Sequence, residues 1–247
     1  AERDVNAYHK FMWRYHLDYA ETYEIAQRFG YDNFNVTRKL FFRELPRRLR
    51  AVGLDARRDI HSVLEVGCSS GYLLRFMETD MFPAATCLQG IDIDAYAIDT
   101  GNHYLARIDS RIELLHADMD QLDELLGEKK FDFVLAAGIL LYLDEPAATR
   151  LVELMMKHTR KMLAITALAH PEEDNATLEQ SVPRQRDCTW IHNVDAMIRQ
   201  AGGNLVARRW EGGKLIDGNT IYFLYATPLD PHSESKLIGT LPGHRYH

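Results

Sequence analysis

A chain of 247 residues is long enough for one large α/β domain, or for a smaller domain with an appended lid, and a single domain is the simpler reading. With 46% hydrophobic and 26% charged residues it has the composition of a globular protein that fills a sizeable core, which excludes a disordered chain. The formal charge of −7 leaves no overall basic field to hold a nucleic-acid backbone and argues against nucleic acid as a partner.

In chain order, the first sixty residues read as helix. Phe11, Tyr15 and Tyr19, with Trp13 and Tyr23, form an aromatic amphipathic stretch, residues 37–52 form a second helix, and residues 30–35 break the two. From Ile60 onward the pattern changes to short apolar runs at residues 63–66, 86–93, 112–115, 131–137 and 162–168. Helical stretches at 71–79, 95–107, 122–126 and 147–158 alternate with them, the signature of a parallel sheet covered on both faces. A helix near 194–200 precedes two last runs, 205–210 and 220–227, whose Gly-rich connection (EGGKLIDGN) predicts adjacent antiparallel strands. The last twenty residues lack periodicity and read as a tail or arm. Three cysteines without CxxC or zinc spacing lead us to expect a reduced, cytoplasmic chain without a metal site. No run reaches the roughly 20 apolar residues of a membrane helix, so no membrane partner is expected.

The chemistry-bearing motifs sit where runs end. Leu64-Glu65-Val66-Gly67-Cys68-Ser69-Ser70-Gly71 closes the first run and opens a helix, with small residues where the backbone must turn tightly and approach a ligand. At the end of the second run Asp92 stands in GIDID, where a carboxylate projects over the same crevice and accepts hydrogen bonds from ribose hydroxyls; Asp94 competes with it as a cap of the following helix. After the third run, Asp118 and Met119 are placed to read an adenine edge, with a helix cap as the competing role for Asp118. After the fourth, Ala136, Ala137 and Gly138 leave space for a cofactor and residues 139–143 begin the next wall. Glu65, an acid inside an apolar run, needs a buried partner.

This arrangement resembles the class I S-adenosylmethionine-dependent methyltransferases over roughly residues 63–227. The resemblance implies an α/β, Rossmann-like methyltransferase fold: a mostly parallel seven-stranded sheet with an antiparallel last strand, plus an N-terminal helical lid. It divides the chain into a lid or substrate cap (1–59), a catalytic domain that binds S-adenosyl-L-methionine (60–228) and a C-terminal tail or arm (229–247). It puts Glu65, Gly67 and Gly71 at the methionine moiety, Asp92 at the ribose, and Asp118 with Met119 at the adenine, and counts Cys68, Ser69, Ile93 and Ala137 among the cofactor-binding residues. The implied reaction is methyl transfer to an oxygen or nitrogen of a small-molecule acceptor, with S-adenosyl-L-homocysteine as product and specialised metabolite biosynthesis as the setting. A homodimer stays among the assemblies considered. Two positions depart from the family pattern: Ser69 replaces the middle glycine, and Tyr142 stands where small-molecule members often carry histidine.

Rival readings remain open. Gly67-Cys68-Ser69-Ser70-Gly71 also fits G-x-S-x-G, which would make Ser69 a hydrolase nucleophile, but it follows the first strand with no oxyanion loop before it. A dehydrogenase would want its third glycine at Tyr72. The basic stretch 45–58 keeps tRNA open as an acceptor, a protein acceptor is another, and a non-catalytic cofactor-binding subunit is a rival of a different class. For the base that a hydroxyl or ammonium acceptor needs, the candidates are His192, His170 and Tyr142. The connection 169–193, long and charged, reads as a functional lid, with Arg184 and Arg186 as holders of an anionic group. The aromatic N-terminal helices are placed to close over the acceptor and exclude water.

Overall fold

A computed structural model describes residues 4–17, 25–214, 220–229 and 239–241. It opens with three helices, α1 (Val5–Arg14), α2 (Ile25–Arg28) and α3 (Val36–Ala51). Asp4 caps α1 by accepting from the Ala7 amide at 2.9 Å, and Asn35 caps α3 by accepting from the Arg38 amide at 2.9 Å. Tyr19 and Tyr23 lie outside the described residues. The expected aromatic face is not a packing face within α1 and its exit: Phe11 is 54% and Tyr15 61% exposed, and His9 is the helix's buried residue.

Strands and helices then alternate: β1 (Ser62–Val66), α4 (Tyr72–Phe76), β2 (Cys87–Asp92), α5 (Ala95–Arg107), β3 (Ile112–His116), α6 (Leu122–Leu126), β4 (Phe131–Ala137), α7 (Glu145–Lys157) and β5 (Thr159–Ala167). A π-helical turn, Met77–Met81, extends α4. The connection after β5 contains a hairpin of β6 (Val182–Arg184) and β7 (Thr189–Ile191), where the sequence reads as a loop. The chain ends in α8 (Val194–Gln200), β8 (Gly203–Trp210), β9 (Tyr222–Pro228) and β10 (Gly239–Leu241).

The main sheet runs β10-β8-β9-β5-β4-β1-β2-β3. β9 is antiparallel to both its neighbours and every other pairing is parallel. Seven of its strands form the expected sheet, and β10, within the segment read as tail or arm, adds a short edge strand to it. The central strands are apolar on both faces because helices cover both; β4 (FDFVLAA) is buried along its first six residues. Its one acid, Asp132, is held by the His61 amide at 2.8 Å and Arg160 at 3.0 Å, and these partners and Lys161 outweigh burial and keep its pKa below the usual carboxylate value. Strand order reverses between β1 and β4, so a crevice opens beyond their carboxyl ends. Part of the basic stretch is spent internally: Arg48 pairs with Glu44 at 3.4 Å and lies over the Tyr225 ring. Among the described residues no helix is long and apolar enough to cross a membrane.

Candidate active site

The crevice holds a cavity of about 200 Å³ that meets the carboxyl ends of β1, β2, β3 and β4. Its floor includes Glu65, Gly67 and Ser69 after β1, Asp92 and Ile93 at β2, Asp118 and Met119 after β3, and Ala137, Gly138 and Ile139 after β4. Eight of the ten sequence-predicted cofactor residues therefore border one space. Cys68 and Gly71 do not border it. The Cys68 side chain turns into the core against Gly90, and burial pushes its thiol up, with the nearby Asp92 and Glu65 charges adding. Gly71, at φ 84°, packs toward Leu114 and Leu105. Both support the turn from behind.

The turn is tight for a physical reason. Gly67 sits at φ 73°, and a Cβ there would come 2.1 Å from Ile139 Cγ2, so the backbone approaches the β4 loop as closely as glycine allows. Ser69, where the family pattern has glycine, takes φ 50°, a left-handed conformation unfavourable for a side-chain-bearing residue. Asp92 braces it: one carboxylate oxygen accepts from the Ser69 amide at 2.7 Å and the other from the Asp94 amide at 2.9 Å. Burial raises the Asp92 pKa, and these amide bonds oppose the shift. Asp94 does cap α5, accepting from the Ala97 amide at 2.9 Å. Asp118 has a double engagement: it caps the turn Met119–Gln121, and its other oxygen pairs with Lys10 at 3.0 Å and Arg14 at 3.1 Å.

Glu65 is 1% exposed, and its Oε2 bonds to no group among the described residues. Desolvation raises its pKa well above the ordinary glutamate value, the Arg38 charge opposing and the Asp92 charge reinforcing. Arg38, from α3, lines the cavity with its guanidinium 5.1 Å from the Tyr72 ring centre.

The base candidates separate. Tyr142 lines the cavity. His192 lies outside it, with both ring nitrogens committed to structure: Nε2 donates to the Leu140 carbonyl at 3.0 Å and Nδ1 accepts from the Ser181 hydroxyl at 2.7 Å. Burial lowers its pKa, so it is held neutral. His170 also lies outside, its Nδ1 accepting from the Glu172 and Glu173 amides at 3.3 and 3.0 Å. Arg184 and Arg186 turn to Asp187 in the hairpin loop and do not reach the cavity. Among the described residues no histidine hydrogen-bonds Ser69, so the hydrolase reading lacks its base.

The sequence reading places the N-terminal helices over the acceptor but does not name the residues that face the cavity. Asn6, His9, Lys10 and Trp13 of α1 all border it. They stand at i, i+3, i+4 and i+7, one helix face, and that spacing was the available signal. Tyr142 meets this face, its ring centre 5.0 Å from His9 and 5.1 Å from Trp13.

Sheet order, the strand-end crevice and three acids around a glycine turn define a class I, Rossmann-like methyltransferase fold. Residues 63–162 match a family model described as a methyltransferase domain. Magnesium protoporphyrin IX methyltransferase from Synechocystis PCC 6803, solved with S-adenosylmethionine bound, is similar in structure at TM-score 0.59 and 14% identity, over 92% of this chain and 98% of that one. The PH0226 protein from Pyrococcus horikoshii OT3 superposes at TM-score 0.58 and 14% identity, over 85% and 100% of the two chains. A methyltransferase from Aquifex aeolicus dependent on the same donor does so at 0.55 and 15%, over 84% and 100%. No curated protein matches by sequence. The chain thus carries a methyltransferase-domain match over residues 63–162 and shares the fold of solved S-adenosylmethionine-dependent methyltransferases.

Proposed function

We propose that this chain transfers a methyl group from S-adenosylmethionine to an oxygen or nitrogen of a small-molecule acceptor. The observation that carries the reading is the convergence of Glu65, Asp92 and Asp118 from three neighbouring strands onto one cavity around Gly67. The residues fit the donor on a point of this structure: Glu65 Oε2 is buried without a partner, as an acceptor awaiting an ammonium group is. Glu65 holds the methionine ammonium, Arg38 its carboxylate, Asp92 the ribose hydroxyls, and Asp118 with Met119 the adenine. Gly67 and Ser69 give the close backbone approach, while Cys68 and Gly71 shape the turn and Ile93 and Ala137 form walls.

When bound, S-adenosylmethionine supplies a methyl group on a sulfonium that leaves well, so the protein's task is alignment and exclusion of water. The cavity's size and its cover by α1 favour a small molecule over RNA or protein. The three free cysteines suit a reducing, cytoplasmic setting.

Calorimetric titration with S-adenosylmethionine and S-adenosylhomocysteine tests the reading. Both should bind, and Asp92→Asn should weaken both by about 1–3 kcal/mol, the scale of hydrogen bonds to a charged group. Absence of binding by either ligand would reject the proposal; binding with no turnover over a broad acceptor panel would favour a non-catalytic subunit.

A further inference from the structure

His9 lies on the cavity face of α1 and is 5% exposed. Its Nε2 is 2.7 Å from the carbonyl oxygen of Cys188, in the loop between β6 and β7. A carbonyl oxygen only accepts, so Nε2 carries the ring hydrogen, and the neutral ring has a bare lone pair at Nδ1. That Nδ1 is buried and bonds to no group among the described residues. A buried ring nitrogen without a partner from the protein leaves its lone pair for a donor on a ligand. The arrangement holds the ring as an oriented proton acceptor, with a carbonyl as the orienting group.

The Cys188 carbonyl is itself set in place. Cys188 takes φ 55°, a left-handed conformation unusual for a residue with a side chain, and Asp187 beside it accepts from the Thr189 hydroxyl at 2.6 Å and from Arg184 at 2.7 Å. The hairpin therefore supports the histidine of the roof. Around that histidine the wall is aromatic: Tyr142 contacts both His9 and Trp13, with Ile139 and Leu143 alongside.

We infer that His9 Nδ1 is the general base of this site and that the acceptor is a planar aromatic hydroxyl compound. The inference rests on the methyl-donor reading above. His9 Nδ1 takes the acceptor's proton as the O–H bond breaks; the oxygen pair forms the O–CH₃ bond, and the C–S pair stays on sulfur, giving S-adenosylhomocysteine. The resulting imidazolium keeps its Nε2–H bond to Cys188 and gives its Nδ1 proton to water after product leaves. A phenolic oxygen needs this help because it is a weak nucleophile until its proton departs.

Two measurements test the inference. Long-range proton–nitrogen spectra of the ¹⁵N-histidine-labelled protein should show His9 with Nε2 protonated and Nδ1 bare; a proton on Nδ1 overturns it. Methyl transfer at fixed neutral pH to 4-methylphenol and to the far more acidic 4-nitrophenol should respond differently to His9→Gln. We expect kcat to fall about 100-fold or more with the first and less than about 10-fold with the second, since general-base help is worth ~10²–10⁴ and an ionised phenol does not need it. Donor affinity measured by calorimetry should be unchanged, which also certifies that the variant is folded. Equal losses on the two phenols, or no loss, overturn the base role. A wild-type protein that binds donor but methylates neither phenol overturns the acceptor class, and one that binds no donor overturns the reading beneath it.

Discussion

Glu65 is the residue at which stability and function pull against each other. Its side chain is buried, and its pKa stands well above the ordinary value of 4.5 because desolvation disfavours the carboxylate. The folded chain thus holds a proton at Glu65 to higher pH than the unfolded chain does, so stability falls as pH rises from about 4.5 through the raised pKa. Glu65→Gln removes that slope. The variant should melt close to wild type near pH 4.5 and above it at pH 7.5, the gap opening as pH rises. Donor affinity should fall about tenfold as the ammonium loses its charged partner. Melting curves that track wild type at both pH values would remove the argument. Much of this floor is legible in sequence, because an acid in an apolar run and acids at run ends are local signals. Asp118 shows the limit: its cap follows from the residues just after it, whereas its partners Lys10 and Arg14 lie more than a hundred positions away.

At the scale of elements, α1 is held over the cavity mainly by polar contacts. Lys10 bridges Asp118 at 3.0 Å and Asp120 at 2.7 Å, Arg14 pairs with Asp118, Asn6 accepts from the Asp144 amide at 2.7 Å, and His9 meets Cys188. Its outward aromatics, Phe11 and Tyr15, are largely exposed, so little apolar burial anchors it from that side. An element held in this way opens at low free energy. Half-exposed ion pairs are worth about 0.2–1 kcal/mol each, so Lys10→Ala with Arg14→Ala should speed hydrogen exchange at the α1 amides roughly 2- to 10-fold and leave β1 and β4 unchanged. Raising salt should do the same to wild type in part. Unaltered exchange in α1 would mean that packing holds the helix. The sequence shows that a helix is here, but its aromatic residues draw the eye to 11, 15 and 19, while the face that meets the cavity is 6, 9, 10 and 13. Which face of an amphipathic helix is inward depends on the surface waiting for it, and that surface is built from residues far along the chain.

For the whole molecule, the alternation of strands and helices is written in periodicity, so the central sheet and its antiparallel last pair are legible. The connection between β5 and α8 is not, because its strands are three residues long and its order comes from distant partners. Asn175 is the hub: fully buried, it donates to the Leu168 carbonyl at 3.0 Å and the His192 carbonyl at 2.8 Å, and accepts from the His170 amide at 2.7 Å and the Trp210 indole at 2.8 Å. One amide thereby joins the end of β5, the approach to α8 and the end of β8. Next to it, Asp174 holds Arg208 at 2.8 Å. Asn175→Ala would leave several buried groups unpaired at about 1–3 kcal/mol each, not fully additively, so a net loss of about 3 kcal/mol in denaturant unfolding is expected. Asn175→Asp should destabilise as well, because it keeps the acceptor oxygen, loses both donors and adds a buried charge. Neither Asn175 nor its partners borders the cavity, so donor affinity of the folded fraction should stay within about twofold of wild type. A variant with intact stability would show that the connection is held by its apolar contacts alone, and a large loss of donor affinity at full stability would tie this hub to the site.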